Sequence, residues 1–264
     1  MKILIIGPGR AGGALALAAS VSGHEIVGLV SRSPLRWDLG FPVVGGAWPE
    51  ADLVVIATRD GDIGEAAREA AAHHPPADAV HISGATSLAV LSGLAASGWE
   101  VGSFHPLQTL PDPHVGARAL HGAWVGLTAD GPLRERLRRL AKDLGMRDFD
   151  LADDARPSYH SGAAAASNFI LSALDLAQQF FENAEVPFAA AAPLASAVVS
   201  NAFSLGPRNS LTGPIAREDW DTVRLQRAAA FAIGEEVLRL FDLMAQATAI
   251  TAGVVVPADL KASP

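Results

Sequence analysis

Short apolar runs alternate with helix-patterned stretches through the first half of the chain. Residues 2–6 are apolar after Lys2 and stop at glycine, the pattern of a parallel strand buried on both faces. Residues 10–22 follow at helical spacing, with Gly23 placed to end the helix. A second strand is predicted over 25–30, and the strongest strand of the chain over 52–58. A helix over 60–73 is stopped by Pro75 and Pro76. Further strands are expected over 79–83, 101–104 and 124–128. Helices are expected over 87–96 and 132–144, the latter amphipathic and studded with arginine. This alternation predicts a parallel sheet covered on both faces.

The pattern changes near Asp153 and Asp154. Helical periodicity then runs over 158–185, 187–205, 217–227 and 228–248, interrupted only by a strand-like run at 253–256. The expectation is an α/β domain over 1–152 followed by an all-α domain over 153–264. The long uncharged stretch 186–207 has the apolarity of a membrane span, yet contains Pro187, Pro193, Ser196, Ser200 and Asn201 and much alanine. It reads better as a helix buried in the protein interior or in a subunit interface.

Composition narrows the field. The net charge of −8 argues against a nucleic-acid scaffold. The absence of cysteine removes disulfides, thiolate metal sites and cysteine nucleophiles. No His, Asp and Glu cluster has ligand spacing, so no metal is expected. The apolar run at the N-terminus is too short for a signal-peptide core, and a cytoplasmic protein is expected, without nucleic-acid or membrane partners.

The candidate chemistry begins at Gly7-Pro8-Gly9-Arg10-Ala11-Gly12. A Gly-x-Gly-x-x-Gly pattern gains meaning when it leaves a strand and opens a helix, as here. Gly7 permits the turn, Gly9 admits a pyrophosphate and Gly12 allows helix and strand to pack closely. Free amides of the helix N-terminus then face the phosphates. Thr58, ending the strongest strand, is a further cofactor candidate. After the second strand, where an NAD site usually carries Asp or Glu, stands Ser31-Arg32-Ser33. A guanidinium between two hydroxyls suits a 2′-phosphate, with Arg10 near enough to help. NADP is expected over NAD.

With Ser83-Gly84-Ala85, His105-Pro106-Leu107-Gln108, Tyr159-His160 with Asn168, and Leu211-Thr212-Gly213-Pro214 with Arg217, the chain resembles a known group. It looks like the Rossmann-type oxidoreductase-like proteins with a helical C-terminal domain of uncharacterised function. These are related to the 6-phosphogluconate-dehydrogenase-like superfamily, which includes prephenate dehydrogenase, pyrroline-5-carboxylate reductase and ketopantoate reductase. The resemblance implies an N-terminal Rossmann domain followed by an all-α C-terminal domain of the 6-phosphogluconate dehydrogenase type, an active site between them, and a homodimer built through the helical domains.

Relatives that use a lysine place it one turn before an asparagine on the first long helix. Asn168 fits that asparagine, but Ala164 stands at the lysine position, and lysine occurs only at Lys2, Lys142 and Lys261. Proton transfer is left to histidine. His105 follows a predicted strand, its His-Pro motif resembles the catalytic histidine of prephenate dehydrogenases, and Ser83 resembles that histidine's partner. An imidazole with a pKa near neutrality would serve. His160 shares a helix face with Asn168 and is either catalytic or structural. Gln108 and Thr212 are candidate substrate contacts. Arg208 and Arg217 either hold a substrate carboxylate or close a turn between helices.

The expected activity is NADP-dependent hydride transfer with a small keto or hydroxy acid or an imine. The alternatives are an inactive dinucleotide-binding sensor and a deazaflavin-linked NADP reductase.

Overall fold

The computed structural model of the chain describes residues 1–260. The first half forms the strands β1 (Lys2–Ile6), β2 (Glu25–Val30), β3 (Leu53–Ile56), β4 (Asp78–His81), β5 (Glu100–Leu107), β6 (Trp124–Thr128) and β7 (Arg147–Asp150). Between them run α1 (Arg10–Val21), α2 (Ile63–His73), α3 (Ser92–Ala96), α4 (Pro113–Leu120) and α5 (Gly131–Asp143). The strands form one seven-stranded sheet in the order β2-β1-β3-β4-β5-β6-β7. This is the Rossmann-type arrangement, with β1 flanked by β2 and β3, so the chain reverses direction across the sheet at the end of β1.

Strand geometry divides the core between the two faces. Ile3 and Ile5 of β1 pack with Leu15, Leu29, Val55, Val80 and Phe104 on one face. Leu4 and Ile6 pack with Val54, Ile56, Ile63, Ala67 and Leu91 on the other. Side chains alternate across a strand, and both faces are buried, which is why β1 after Lys2 and the whole of β3 are apolar.

Four features depart from the sequence expectation. First, β6 runs antiparallel to β5, although β7 is parallel to β6. Second, pairing with β6 extends β5 to Leu107, so His105 lies within the strand, opposite Gly126, rather than after its end. Third, β7 has the sequence Arg-Asp-Phe-Asp, too polar for an apolar-run criterion; it is an edge strand with no buried residue. Fourth, α4 has Pro113 in its first turn and Asp112 as N-cap, accepting from the amides of His114 and Val115 at 2.8 and 3.3 Å.

By internal packing the chain divides into two units, Met1–Ala164 and Ala165–Pro264. The helix α6 (Arg156–Asn183) begins in the first and continues into the second. It is followed by α7 (Ala191–Leu205), α8 (Trp220–Ile233) and α9 (Glu235–Ala252). The break between the last two helices falls at Gly234, not at residue 227, and 254–256 are coil rather than strand. The small core of the second unit joins Leu176, Ala230 and Val237, with Phe180 and Phe241 packed against it. Asp242, 5% exposed, takes a bidentate pair of hydrogen bonds from Arg227 at 2.8 and 2.9 Å.

Of the two coverings expected for 186–207, the chain's own interior does not provide one. Ala191 is the one buried residue of α7, whereas Phe203 is 87% and Leu194 65% exposed. Phe188–Leu205, with a mean hydropathy of 1.5, is long and apolar enough to cross a membrane.

Candidate functional site

The loop after β1 is built by close packing. Gly7 has φ +86°, and a β-carbon there would lie 2.9 Å from the backbone of Ala57 and Thr58. A β-carbon on Gly12 would come 2.4 Å from the Gly7 carbonyl oxygen and 2.8 Å from the Ala57 methyl. Both glycines are therefore demanded by the approach of α1 to β3.

Gly9 differs, since a β-carbon there would meet nothing within 4 Å. Packing within the chain does not explain glycine at that position. Its open side lies at the N-terminus of α1, where Arg10 and Ala11 begin the helix. No side chain caps this end, and its first turn carries no acidic residue. Against Gly7, Thr58 Oγ1 is buried with no hydrogen-bond partner among the described residues. An open cradle, uncapped amides and a solitary hydroxyl fit a pyrophosphate.

Arg32 stands after β2, as expected, but is engaged. Its guanidinium pairs with Glu65 and Glu69 of α2, each at 3.0 Å, and is 53% exposed. Ser31 Oγ donates to the Ser33 carbonyl at 2.7 Å, which holds the turn. An anion at Arg32 thus has two carboxylates to displace. Exposed pairs of this kind are weak and screened by solvent, so the exchange is feasible.

A second group of side chains collects beyond the carboxyl end of β4. The last pairing between β4 and β5 is His81 with Ser103, so His105 stands two residues past the parallel part of the sheet. Its Nδ1 lies 2.6 Å from Tyr159 Oη. Its ring meets those of Tyr159 and His160 edge-on, with centroids at 5.4 and 6.2 Å. Gly84 lies against both histidines: a β-carbon there would be 2.7 Å from His105 Nε2 and 2.8 Å from His160 Nδ1. The expected near-neutral pKa of His105 is corrected. Burial, the neighbouring His160 and the Arg156 cation lower it to about 4, so the ring is neutral at physiological pH. Burial likewise pushes the Tyr159 hydroxyl up to about 12.

Arg156, at the start of α6, fixes this group in place. It is fully buried and donates to Asp153 Oδ1 (2.7 Å), the Ser83 carbonyl (3.0 Å) and Thr128 Oγ1 (2.7 Å). Asp153 also accepts from Ser87 Oγ at 2.6 Å and from the Leu88 amide at 2.9 Å. Burial works to raise the Asp153 pKa, but these bonds and Arg156 hold it below the usual carboxylate value. His81 is buried beneath the cluster, accepting from the Ser83 amide at 3.2 Å. Burial and Arg156 lower its pKa to about 4.

Ser83 is not the partner of His105. Its hydroxyl donates to Thr86 Oγ1 at 2.9 Å and accepts from the amides of Ala85 and Thr86, which closes the turn after β4. The phenol of Tyr159, the only tyrosine in the chain, takes that place. Gln108 bonds the Ala119 carbonyl and the Thr109 amide, a local role at the end of β5. Asn168 is exposed on α6, two turns after His160. In the second unit, Arg208 donates to the Ala252 carbonyl at the end of α9, and Arg217 donates to the Thr212 carbonyl, closing that turn. Among the described residues, no group of three or more His, Asp or Glu side chains is arranged to hold a metal.

Residues 123–248 match the family profile described as a domain of unknown function, DUF2520. No curated protein sequence matches the chain. The fold is similar to that of a Bacteroides fragilis protein assigned as an NADP oxidoreductase (22% identity, TM-score 0.81, 94% of this chain and 98% of that one). It is similar also to Plasmodium falciparum pyrroline carboxylate reductase with NADP bound (12% identity, TM-score 0.60, 96% and 98%). A third likeness is to the reductive aminase of Aspergillus terreus in complex with NADPH and ethyl levulinate (16% identity, TM-score 0.56, 98% and 97%). At these identities the likeness establishes the fold.

Proposed function

We propose that this chain is an NADP-dependent oxidoreductase moving a hydride to or from a small polar substrate, a keto or hydroxy acid or a related imine. The observation that carries the reading is the Gly9 cradle, a glycine that packing does not require, at an uncapped helix start. The solved structures similar in fold include ones holding NADP or NADPH, which supports the same reading.

Gly7, Gly9, Arg10, Ala11, Gly12 and Thr58 would hold the pyrophosphate region, and Ser31, Arg32 and Ser33 the 2′-phosphate. A bound nicotinamide supplies or accepts the hydride. The chain's own part is to position the substrate and manage one proton, which falls to His105 and His160 beside Gly84.

We also assign self-association to the helical unit, through the exposed apolar side chains of α7.

Thermal shift with NADPH and NADH tests the cofactor assignment. NADPH raises the melting temperature more than NADH at equal concentration, and Arg32→Ala erases the difference. Equal shifts in the wild-type protein contradict the phosphate site.

A further inference from the structure

We propose that the main-chain amide of Gly84 is the donor that holds the reacting oxygen of the substrate, beside His105 and His160. This rests on the oxidoreductase reading above and adds to it the group that faces the charge on oxygen.

The turn after β4 satisfies its amides one by one and leaves a single one over. Ile82 donates to the Ile56 carbonyl and Ser83 to His81 Nδ1, each at 3.2 Å. Ala85 and Thr86 both donate to Ser83 Oγ, at 3.2 and 3.0 Å. The Gly84 amide has no partner among the described residues, although Gly84 is buried. Nearly every buried amide of a folded protein is paired. An unpaired one at the carboxyl end of a central strand, where α/β sheets bind ligands, points to a ligand oxygen.

The direction of this N–H is set by its own peptide unit. The Ser83 carbonyl accepts from the buried Arg156 guanidinium at 3.0 Å. A trans peptide is planar with its C=O and N–H opposed, and the described chain has no cis bond. The Gly84 N–H therefore points away from Arg156. The charge-assisted bond to the carbonyl also polarises the unit and strengthens the N–H as a donor. Arg156 acts through the peptide and is a positioning residue.

Both histidines reach the same spot. The position a Gly84 β-carbon would take is 2.7 Å from His105 Nε2 and 2.8 Å from His160 Nδ1. Covalent geometry puts that position about 2.5 Å from the Gly84 nitrogen, so each ring nitrogen lies within roughly 5.3 Å of the amide. One oxygen bridges such a span with two hydrogen bonds of ordinary length. Any side chain at 84 would strike both rings and fill the space the oxygen needs. A backbone amide is a donor at every pH, so this role requires no particular tautomer or charge of either ring.

When a carbonyl carbon takes up hydride, its π pair moves onto oxygen. The Gly84 N–H faces that growing charge, as the amides of an oxyanion hole do. One proton from the histidine pair completes the hydroxyl, and solvent returns it. The reduced dinucleotide of the reading above is the source of the hydride and its two electrons.

Amide NMR of the full 15N-labelled chain tests the site, with oxamate, an unreactive mimic of a 2-oxo acid, as the probe. Oxamate is titrated with and without NADPH. It should move the Gly84 amide proton downfield while the Ala85 and Thr86 amides, bonded to Ser83 Oγ, stay in place. A Gly84 amide that ignores oxamate in both titrations overturns the proposal. So does one that moves with NADPH alone, which would assign the amide to the cofactor. An oxamate shift in a chain that binds no NADPH leaves the oxygen site standing and overturns the oxidoreductase reading instead.

Replacing the Ser83–Gly84 peptide bond by an ester removes the N–H and adds no bulk beside the histidines. With NADPH and 2-oxo acids, kcat should fall about a hundredfold at unchanged KM, the scale of losing one oxyanion donor. A fall of less than tenfold overturns the role. A raised KM at unchanged kcat would place the amide on the substrate's carboxylate and overturns it equally.

Discussion

His81 and His105 are neutral rings held near a cation, and that has a thermodynamic consequence. In the unfolded chain each binds a proton near pH 6.5, whereas in the native protein each does so near pH 4. Between these values the unfolded state holds more protons, so stability is present above pH 6.5 and is lost as the pH falls toward 4. For the fully buried His81 alone the loss is on the order of 3 kcal/mol. Urea midpoints at pH 7, 5.5 and 4.5 should decline, and His81→Asn should flatten the decline; a slope parallel to the wild type contradicts the assignment. A second test falls on Gly84. Gly84→Ala should perturb the NMR signals of both His105 and His160, because its methyl would sit within 3 Å of each ring. Unperturbed signals would mean that the histidines do not meet there. His105 was legible from its His-Pro motif. Tyr159 was quoted in a motif without a role, because its contact spans 54 residues and no local pattern encodes it. The near-neutral pKa expected for His105 failed for the same reason: it depends on Arg156, whose burial is set by tertiary packing.

At the scale of elements, the start of α6 is tied to the turn after β4 and to β6 through Arg156. Arg156→Met leaves the Ser83 carbonyl and the Thr128 hydroxyl without that donor. It should cost about 3 kcal/mol by urea unfolding, within the range for breaking a buried ionic network; a change below 1 kcal/mol would contradict the role. The helix α2 has a different part, since Glu65 and Glu69 compete for the guanidinium that the 2′-phosphate would use. Replacing both by glutamine should tighten NADPH binding several-fold and leave NADH unchanged, as read by fluorescence titration. The strands with fully apolar runs were legible because burial on both faces leaves no room for polar residues. The edge strand β7 and the short helix α4 were not, being polar or carried by a cap and a proline. The reversed direction of β6 was equally hidden, because an apolar pentapeptide reads the same in either orientation.

For the whole molecule, two claims remain to be measured. The exposed apolar face of α7 predicts a second copy of the chain against it, and light scattering after gel filtration should give twice the 27.3 kDa chain mass. Phe203→Asp should return a folded single chain; a wild-type single chain contradicts the assignment. The other claim is that the molecule exists to hold a dinucleotide, and Gly9 tests it most directly. Its β-carbon position is free of protein atoms, so Gly9→Val should leave the circular dichroism and melting temperature unchanged. If the phosphates occupy that side of the loop, the same variant should lose NADPH binding by at least a hundredfold in a fluorescence titration, about 2.7 kcal/mol. A correctly folded Gly9→Val protein that binds NADPH as tightly as the wild type would contradict the account.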